Sequence, residues 1–221
     1  MSQAGSQRRQ SLSKRLFTED GSAFPAWIQF FDLSRPWDGR PDIHRKVAEL
    51  PSPLYAASHE GVKDAVCTIL NDIRTNVNIQ WADKGTALYA ASARGHEKVV
   101  EMLLAKGADV NAQGGHYGGA LQTASARGNE KVVEMLLAKG ADVNAQGGHY
   151  GGALQTASAR GHEKVVEMLL AKGADVNAQG GHYGGALQTA SVGGHEKVVD
   201  MLLAKGAVPL EDGGDKLQLV C

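Results

Sequence analysis

Charge of one sign, cysteine, aromatic residues and long apolar runs are all scarce in this chain of 221 residues, and each shortage removes a class of function. Lys and Arg number 23 against 24 Asp and Glu, a formal net charge of -1, so there is no field that could hold a phosphate backbone and nucleic acid is not expected as a partner. The cysteines are Cys67, inside a helical apolar run, and Cys221, the last residue; they offer neither a disulfide framework nor metal-ligand spacing. No apolar stretch reaches the roughly 18 residues of a membrane span, and no secretory core follows Met1. A cytoplasmic chain, with the nucleus open to it, is therefore expected, without membrane contact.

Glycine, by contrast, is abundant at 28 residues, and its placement is periodic. Gly114 to Gln146 is repeated as Gly147 to Gln179 with one change, Asn129 to His162. A unit this short has one apolar ridge and cannot bury a core alone, so stability must come from copies stacked side by side. Within one copy, Gly119 to Arg127 reads as a short helix ended by Gly128. A second helix runs from about Asn129 to Lys139, with Val132, Val133, Leu136 and Leu137 forming one stripe. Gly140 stands where a left-handed closing residue is wanted. Asp142-Val143-Asn144-Ala145 reads as extended, and Gly147-Gly148-His149-Tyr150-Gly151 turns the chain into a hairpin finger.

These strings resemble the ankyrin repeat. The family motif appears as Thr86-Ala87-Leu88-Tyr89-Ala90-Ala91-Ser92, then Gly95-His96, Val99-Val100, Leu103-Leu104 and Gly107-Ala108-Asp109-Val110-Asn111-Ala112. It continues at Leu121, Leu154 and Leu187, and a more divergent copy starts at Ser52-Pro53-Leu54-Tyr55. The resemblance implies an all-α ankyrin solenoid of five helix-turn-helix repeats with β-hairpin-like fingers, divided as 51–83, 84–115, 116–148, 149–181 and 182–210. Thr86 and Ser52 stand at the start of the first helix, where the later copies have Gly119, Gly152 and Gly185 and so lose a side-chain cap. The Gly-Gly-His-Tyr-Gly-Gly fingers, the near-identical neighbours and the upstream strings Trp27-Ile28-Gln29-Phe30-Phe31-Asp32 and Arg35-Pro36-Trp37-Asp38-Gly39 are similar to the ankyrin tails of filamentous-fungal NACHT (NLR-like) proteins. The nucleotide-binding string G-x-x-x-x-G-K-[ST] of such a motor is absent.

Residues 1–20, rich in Ser, Gln and Arg, read as a disordered tail. Residues 21–50, with Phe24, Trp27, Ile28, Phe30, Phe31 and Trp37, read as an N-terminal cap over the first repeat, the alternative being an exposed aromatic docking motif. Residues 211–221 read as a tail whose Leu217, Leu219 and Val220 cover the last repeat or else leave it sticky, giving a monomer or weak self-association through that repeat.

His116, His149 and His182 at the finger tips suggest a metal row, but helices about 8–10 Å apart would separate the rings beyond the reach of one zinc ion. His96, His162 and His195, with Asn129 in the same register, read as polar residues capping the second helices. The glycine finger lacks the order of a phosphate cradle, and no catalytic constellation stands out of the repeated background. No cofactor and no enzymatic activity are expected. The resemblance instead implies a protein partner on the concave face of fingers and first helices. On matching positions that face carries Trp81, Asp83, Lys84, Arg94, His116, Tyr117, Arg127, His149, Tyr150, Arg160, His182 and Tyr183. Tyr and Arg join large contact area to directional hydrogen bonds, which suits such a surface. Equally open is that each Tyr packs on the adjacent finger and each Arg pairs with a nearby acid. The functional expectation is a protein-interaction module, as the recognition part of an immune-type receptor or as a structural adaptor. A third reading makes residues 1–50 the remnant of a catalytic neighbour.

Overall fold

The computed structural model describes residues 52–182 and 184–209. The expected tail over 1–20, the cap over 21–50, the lid over 211–221, Cys221 and Tyr183 lie outside the described residues. Within them the chain forms ten α-helices in five antiparallel pairs: α1 (Pro53–Glu60) with α2 (Lys63–Asn71), α3 (Ala87–Arg94) with α4 (Glu97–Ala105), α5 (Ala120–Arg127) with α6 (Glu130–Ala138), α7 (Ala153–Ala159) with α8 (Glu163–Ala171), and α9 (Ala186–Val192) with α10 (Glu196–Ala204). The two-residue strands β1 (Gln146–Gly147) and β2 (Gly151–Gly152) close one finger, and β3 (Gln179–Gly180) and β4 (Gly184–Gly185) the next. A single bridge, Gln113 to Gly119, closes the finger before them.

Each first helix touches the next through a column of fully buried alanines, Ala57, Ala91, Ala124, Ala157 and Ala190, small enough for close approach. The second helices contribute Val100, Val133 and Val166 and the fully buried Leu103, Leu136, Leu169 and Leu202. Each such leucine is worth about 1.5–3 kcal/mol of burial, and none could be buried without a neighbouring repeat. The second helices end one residue inside the span read from sequence, and Gly140 takes φ 84 as a closing residue should.

One segment differs from expectation. Asp142 to Ala145 is not extended but turned: Ala145 N–H donates to Asp142 O at 3.2 Å, and Asp142 Oδ1 accepts from Asn144 N–H at 2.9 Å. The Asp side chain imitates a backbone turn, which competes with strand geometry and wins because no neighbouring strand supplies partners there. The turn presents Asn144 outward to the next repeat, where Asn144 Nδ2 donates to Gly173 O at 3.2 Å and its Oδ1 accepts from Asp175 N–H at 2.8 Å. Asn78, Asn111 and Asn177 make the same pair of bonds one repeat onward. Each repeat thus hangs from the last by one amide that satisfies two backbone groups at a helix end.

The residues opening the second helices also act across repeats, contrary to the capping role read from sequence. None makes a side-chain cap to its own helix. Instead His96 Nε2 donates to His59 O at 3.1 Å, Asn129 Nδ2 to Ser92 O at 2.8 Å, and the Nε2 atoms of His162 and His195 to Ala126 O and Ala159 O at 3.2 Å. A carbonyl can only accept, so these imidazoles carry the proton on Nε2. Their side chains reach the preceding repeat, where helix-terminal carbonyls need donors.

Candidate functional site

The described candidate residues fall on the fingers and at the ends of the first helices. Their N-terminal group is built around Tyr55 and Tyr89. Ser52 and Thr86 cap α1 and α3 by accepting from Tyr55 N–H and Tyr89 N–H at 3.2 Å. Trp81, half-buried, meets Tyr55 edge-on at 4.9 Å, and Tyr55 stacks on His59 at 6.4 Å. Burial pushes the Tyr55 phenol pKa up. Arg94 donates through Nε and Nη2 to His59 Nε2 at 3.2 and 3.0 Å, and His59 Nδ1 donates to Glu60 Oε1 at 2.8 Å. Lys84, exposed, lies 3.7 Å from Asp83. Sequence reasoning missed Tyr55, Tyr89 and His59. The signal was present in the Thr-x-x-Tyr spacing of 86–89, which becomes Gly-x-x-Gln in 119–122.

The C-terminal part is a double row of rings. His116 and His149 stack at 5.6 Å with planes 17° apart, and His149 and His182 at 4.4 Å and 24°. Tyr117 and Tyr150 stack at 6.2 Å and 11°, and His116 and His149 meet Tyr117 and Tyr150 edge-on at 5.0 and 5.1 Å. Arg160, at the end of α7, reaches back along this side: Nη2 donates to Tyr117 Oη at 3.4 Å and the guanidinium lies 5.9 Å from the Tyr150 ring centre. Arg127 holds the equivalent position one repeat earlier and is exposed. Of the sequence-derived candidates, the structure therefore joins His116, Tyr117, His149, Tyr150, Arg160 and His182 into one patch. Trp81 and Arg94 gather instead around Tyr55 and His59, and Lys84 lies beside Asp83. Of the reading in which each Tyr packs on the adjacent finger and each Arg pairs with a nearby acid, the first half holds for Tyr117 and Tyr150, whereas Arg160 lies on tyrosines and Arg94 on His59.

The ring spacings correct the expected separation of about 8–10 Å, which is the distance between helices. Fingertips are paired through their backbones: His149 N–H donates to His116 O at 3.2 Å and His182 N–H to His149 O at 3.1 Å. That sets a strand-like interval of roughly 4.8 Å. Glycine permits it, because a Cβ on Gly148 would collide with the Tyr117 carbonyl and one on Gly151 would lie 2.7 Å from the Gly180 carbonyl carbon. Distance therefore does not argue against a shared ion, but stacking does, since the in-plane lone pairs of parallel rings run side by side and do not converge. Among the described residues no group of three or more His, Cys, Asp or Glu is arranged to hold a metal ion. No described helix is long and apolar enough to cross a membrane.

A family model described as ankyrin repeats (3 copies) matches residues 54–147 and again residues 121–212. The chain belongs to the ankyrin repeat family. A curated relative, azaphilone pigments biosynthesis cluster protein L of Monascus ruber, is 41% identical over 116 residues, which is 49% of this chain and 24% of the relative. This ankyrin chain thus spans about a quarter of the length of that relative. Ankyrin repeats are in general protein–protein interaction modules, and the all-α solenoid described above is theirs.

Proposed function

We propose that this ankyrin chain is a non-enzymatic, cytoplasmic interaction module that grips a protein partner on the side formed by its fingers and first helices. Trp81, Lys84 and Arg94 contribute at one end. His116, Tyr117, Arg127, His149, Tyr150, Arg160, His182 and Tyr183 contribute along the rest. The observation that carries this reading is the unbroken double row of imidazole and phenol rings bridged by Arg160. It offers large, rigid contact area with a polar edge, the surface type in which binding energy concentrates. The side chains are already held by stacking, so little conformational entropy remains to be lost on binding.

The test is affinity capture with the full chain beside a Tyr117→Ala, Tyr150→Ala, Tyr183→Ala variant, with thermal melts of both. Partner recovery is expected to fall by about tenfold or more while the melt shifts little. Undiminished recovery by a folded variant would remove the reading. The finer role, the recognition part of an NLR-like immune or incompatibility receptor, is supported by the near-identity of the fingers and by the resemblance of the 27–39 strings. The structural adaptor differs from it in having no triggered response. Partner-dependent stimulation of a companion ATPase favours the receptor part, and its absence the adaptor.

A further inference from the structure

Charge is segregated between the two sides of repeats three to five. From Gln113 to Gly128, from Gln146 to Gly161 and from Gln179 to Gly194, the spans that form the fingers and first helices, there is no Asp, Glu or Lys. Their formal charges are Arg127 and Arg160, accompanied by the imidazoles of His116, His149 and His182. The acids of the same repeats lie on the second helices and in the Asp turns. There Lys131 faces Glu97 at 3.9 Å, and Lys164 and Lys197 face Glu130 and Glu163 at 3.5 Å. The outer helices thus carry both signs, three lysines each facing a glutamate of the preceding repeat, and the inner spans of repeats three to five keep the charge of Arg127 and Arg160 with no acid of their own to offset it. Arg160 is held against Tyr117 and Tyr150, which orients its guanidinium without consuming its charge.

We propose that this side of repeats three to five takes an extended acidic segment of a protein partner, its carboxylates seated on Arg127 and Arg160. The inference rests on the interaction-module reading and adds the chemistry of the partner. A planar guanidinium donates two parallel hydrogen bonds to a carboxylate, so the pair gives direction as well as charge. Equivalent helix positions in neighbouring repeats lie about 10 Å apart, roughly the rise of three residues of extended chain. The segment therefore carries Asp or Glu at positions i and i+3, with the residues between lying on the stacked rings. A nucleic acid is disfavoured because two arginines without lysines release few counterions.

The experiment is selection of a phage-displayed library of random peptides, each of about 12 residues and so up to roughly 40 Å long, on the immobilised full chain. Asp or Glu pairs at i, i+3 are expected to be enriched over the input library. In fluorescence anisotropy the leading synthetic peptide should bind an Arg127→Glu, Arg160→Glu variant about tenfold or more weakly than wild type. A Lys131→Glu variant on the outer side should bind it as wild type does. Melting of the arginine variant within a few degrees of wild type shows that the change is local. A basic or neutral selected set, no selected set, or equal binding by the arginine variant overturns the inference. So does a single-stranded oligonucleotide of roughly 20 bases that binds tighter than the peptide and needs the same arginines. Neutral peptides that still require Tyr117 and Tyr150 overturn the acidic partner while leaving the interaction module standing. Indifference of every ligand to the tyrosine variant counts against the module itself.

Discussion

Gly128 and Gly140 both close helices at positive φ, 67 and 84, but their surroundings differ. A Cβ on Gly140 meets nothing within 4 Å, so Gly140→Ala meets only the backbone cost of a left-handed alanine, about 1 kcal/mol. A Cβ on Gly128 lies 2.7 Å from the His162 ring, and moving that ring breaks its bond to Ala126 O. Losing the donor to a helix-end carbonyl adds about 1 kcal/mol or more. Urea unfolding of the two full-length variants is expected to rank Gly128→Ala clearly below Gly140→Ala. Equal midpoints would mean that the imidazole gives way freely and holds nothing. Gly140 was legible in the sequence because a helix stop is a local matter of φ. His162 was legible as structural but not in its target, since the carbonyl it serves lies 36 residues back and periodicity does not say which neighbour a side chain faces.

At the scale of the element, the first helices begin in two ways that carry different fingers. Thr86 caps α3, and Tyr89 three residues on lies under the next finger, where a Cβ on Gly115 would strike its ring. Gly119 leaves α5 without a side-chain cap, and Gln122 instead reaches across to donate to Ala145 O at 3.1 Å, just before the following finger. A Cβ on Gly119 would lie 2.7 Å from Gln122 Oε1. Restoring the family residue with Gly119→Thr is therefore expected to destabilise, although a Thr cap on its own would add a few tenths of a kcal/mol over Gly. The loss should be about 1 kcal/mol, set by the buried amide of Gln122. Combined with Gln122→Ala the penalty should largely vanish, so a double-mutant cycle read by thermal or chemical unfolding should show strong coupling. Additive changes would show that cap and amide are independent. The helices, their order and the fingers were readable from the 33-residue period. The finger spacing was not, because a period identifies equivalent residues without fixing how far apart they sit. Glycine at the tips replaced helix packing distance with backbone pairing distance.

The whole molecule is a row of nearest-neighbour contacts, and the row ends unevenly at its last described repeat. Gly61, Gly95, Gly128 and Gly161 each receive an imidazole or amide from the following repeat, whereas a Cβ on Gly194 would meet nothing within 4 Å among the described residues. Val192 is 74% exposed where the equivalent Ala126 is 5% exposed, and Leu203 and Val208 are exposed as well. Position 210, 33 residues after Asn177, carries Leu, which has no side-chain amide to offer. In a linear array each repeat draws much of its stability from two interfaces, and among the described residues α9 with α10 has one. Local opening should follow that inequality. Hydrogen exchange of the full chain is expected to show amide protection in α9 and α10 at least about tenfold below that in α5 to α8. The near-identity of the repeats makes the comparison a clean one, since α8 and α10 differ in a single residue, Glu167 against Asp200. Equal protection along the array would mean that the exposed side of α9 and α10 is covered in solution, as the first of the two sequence readings of Leu217, Leu219 and Val220 has it. In that case removing residues 211–221 should lower protection in α9 and α10 alone. A loss spread evenly over all five helix pairs would instead show that the array opens as one unit and that the nearest-neighbour picture is wrong for it.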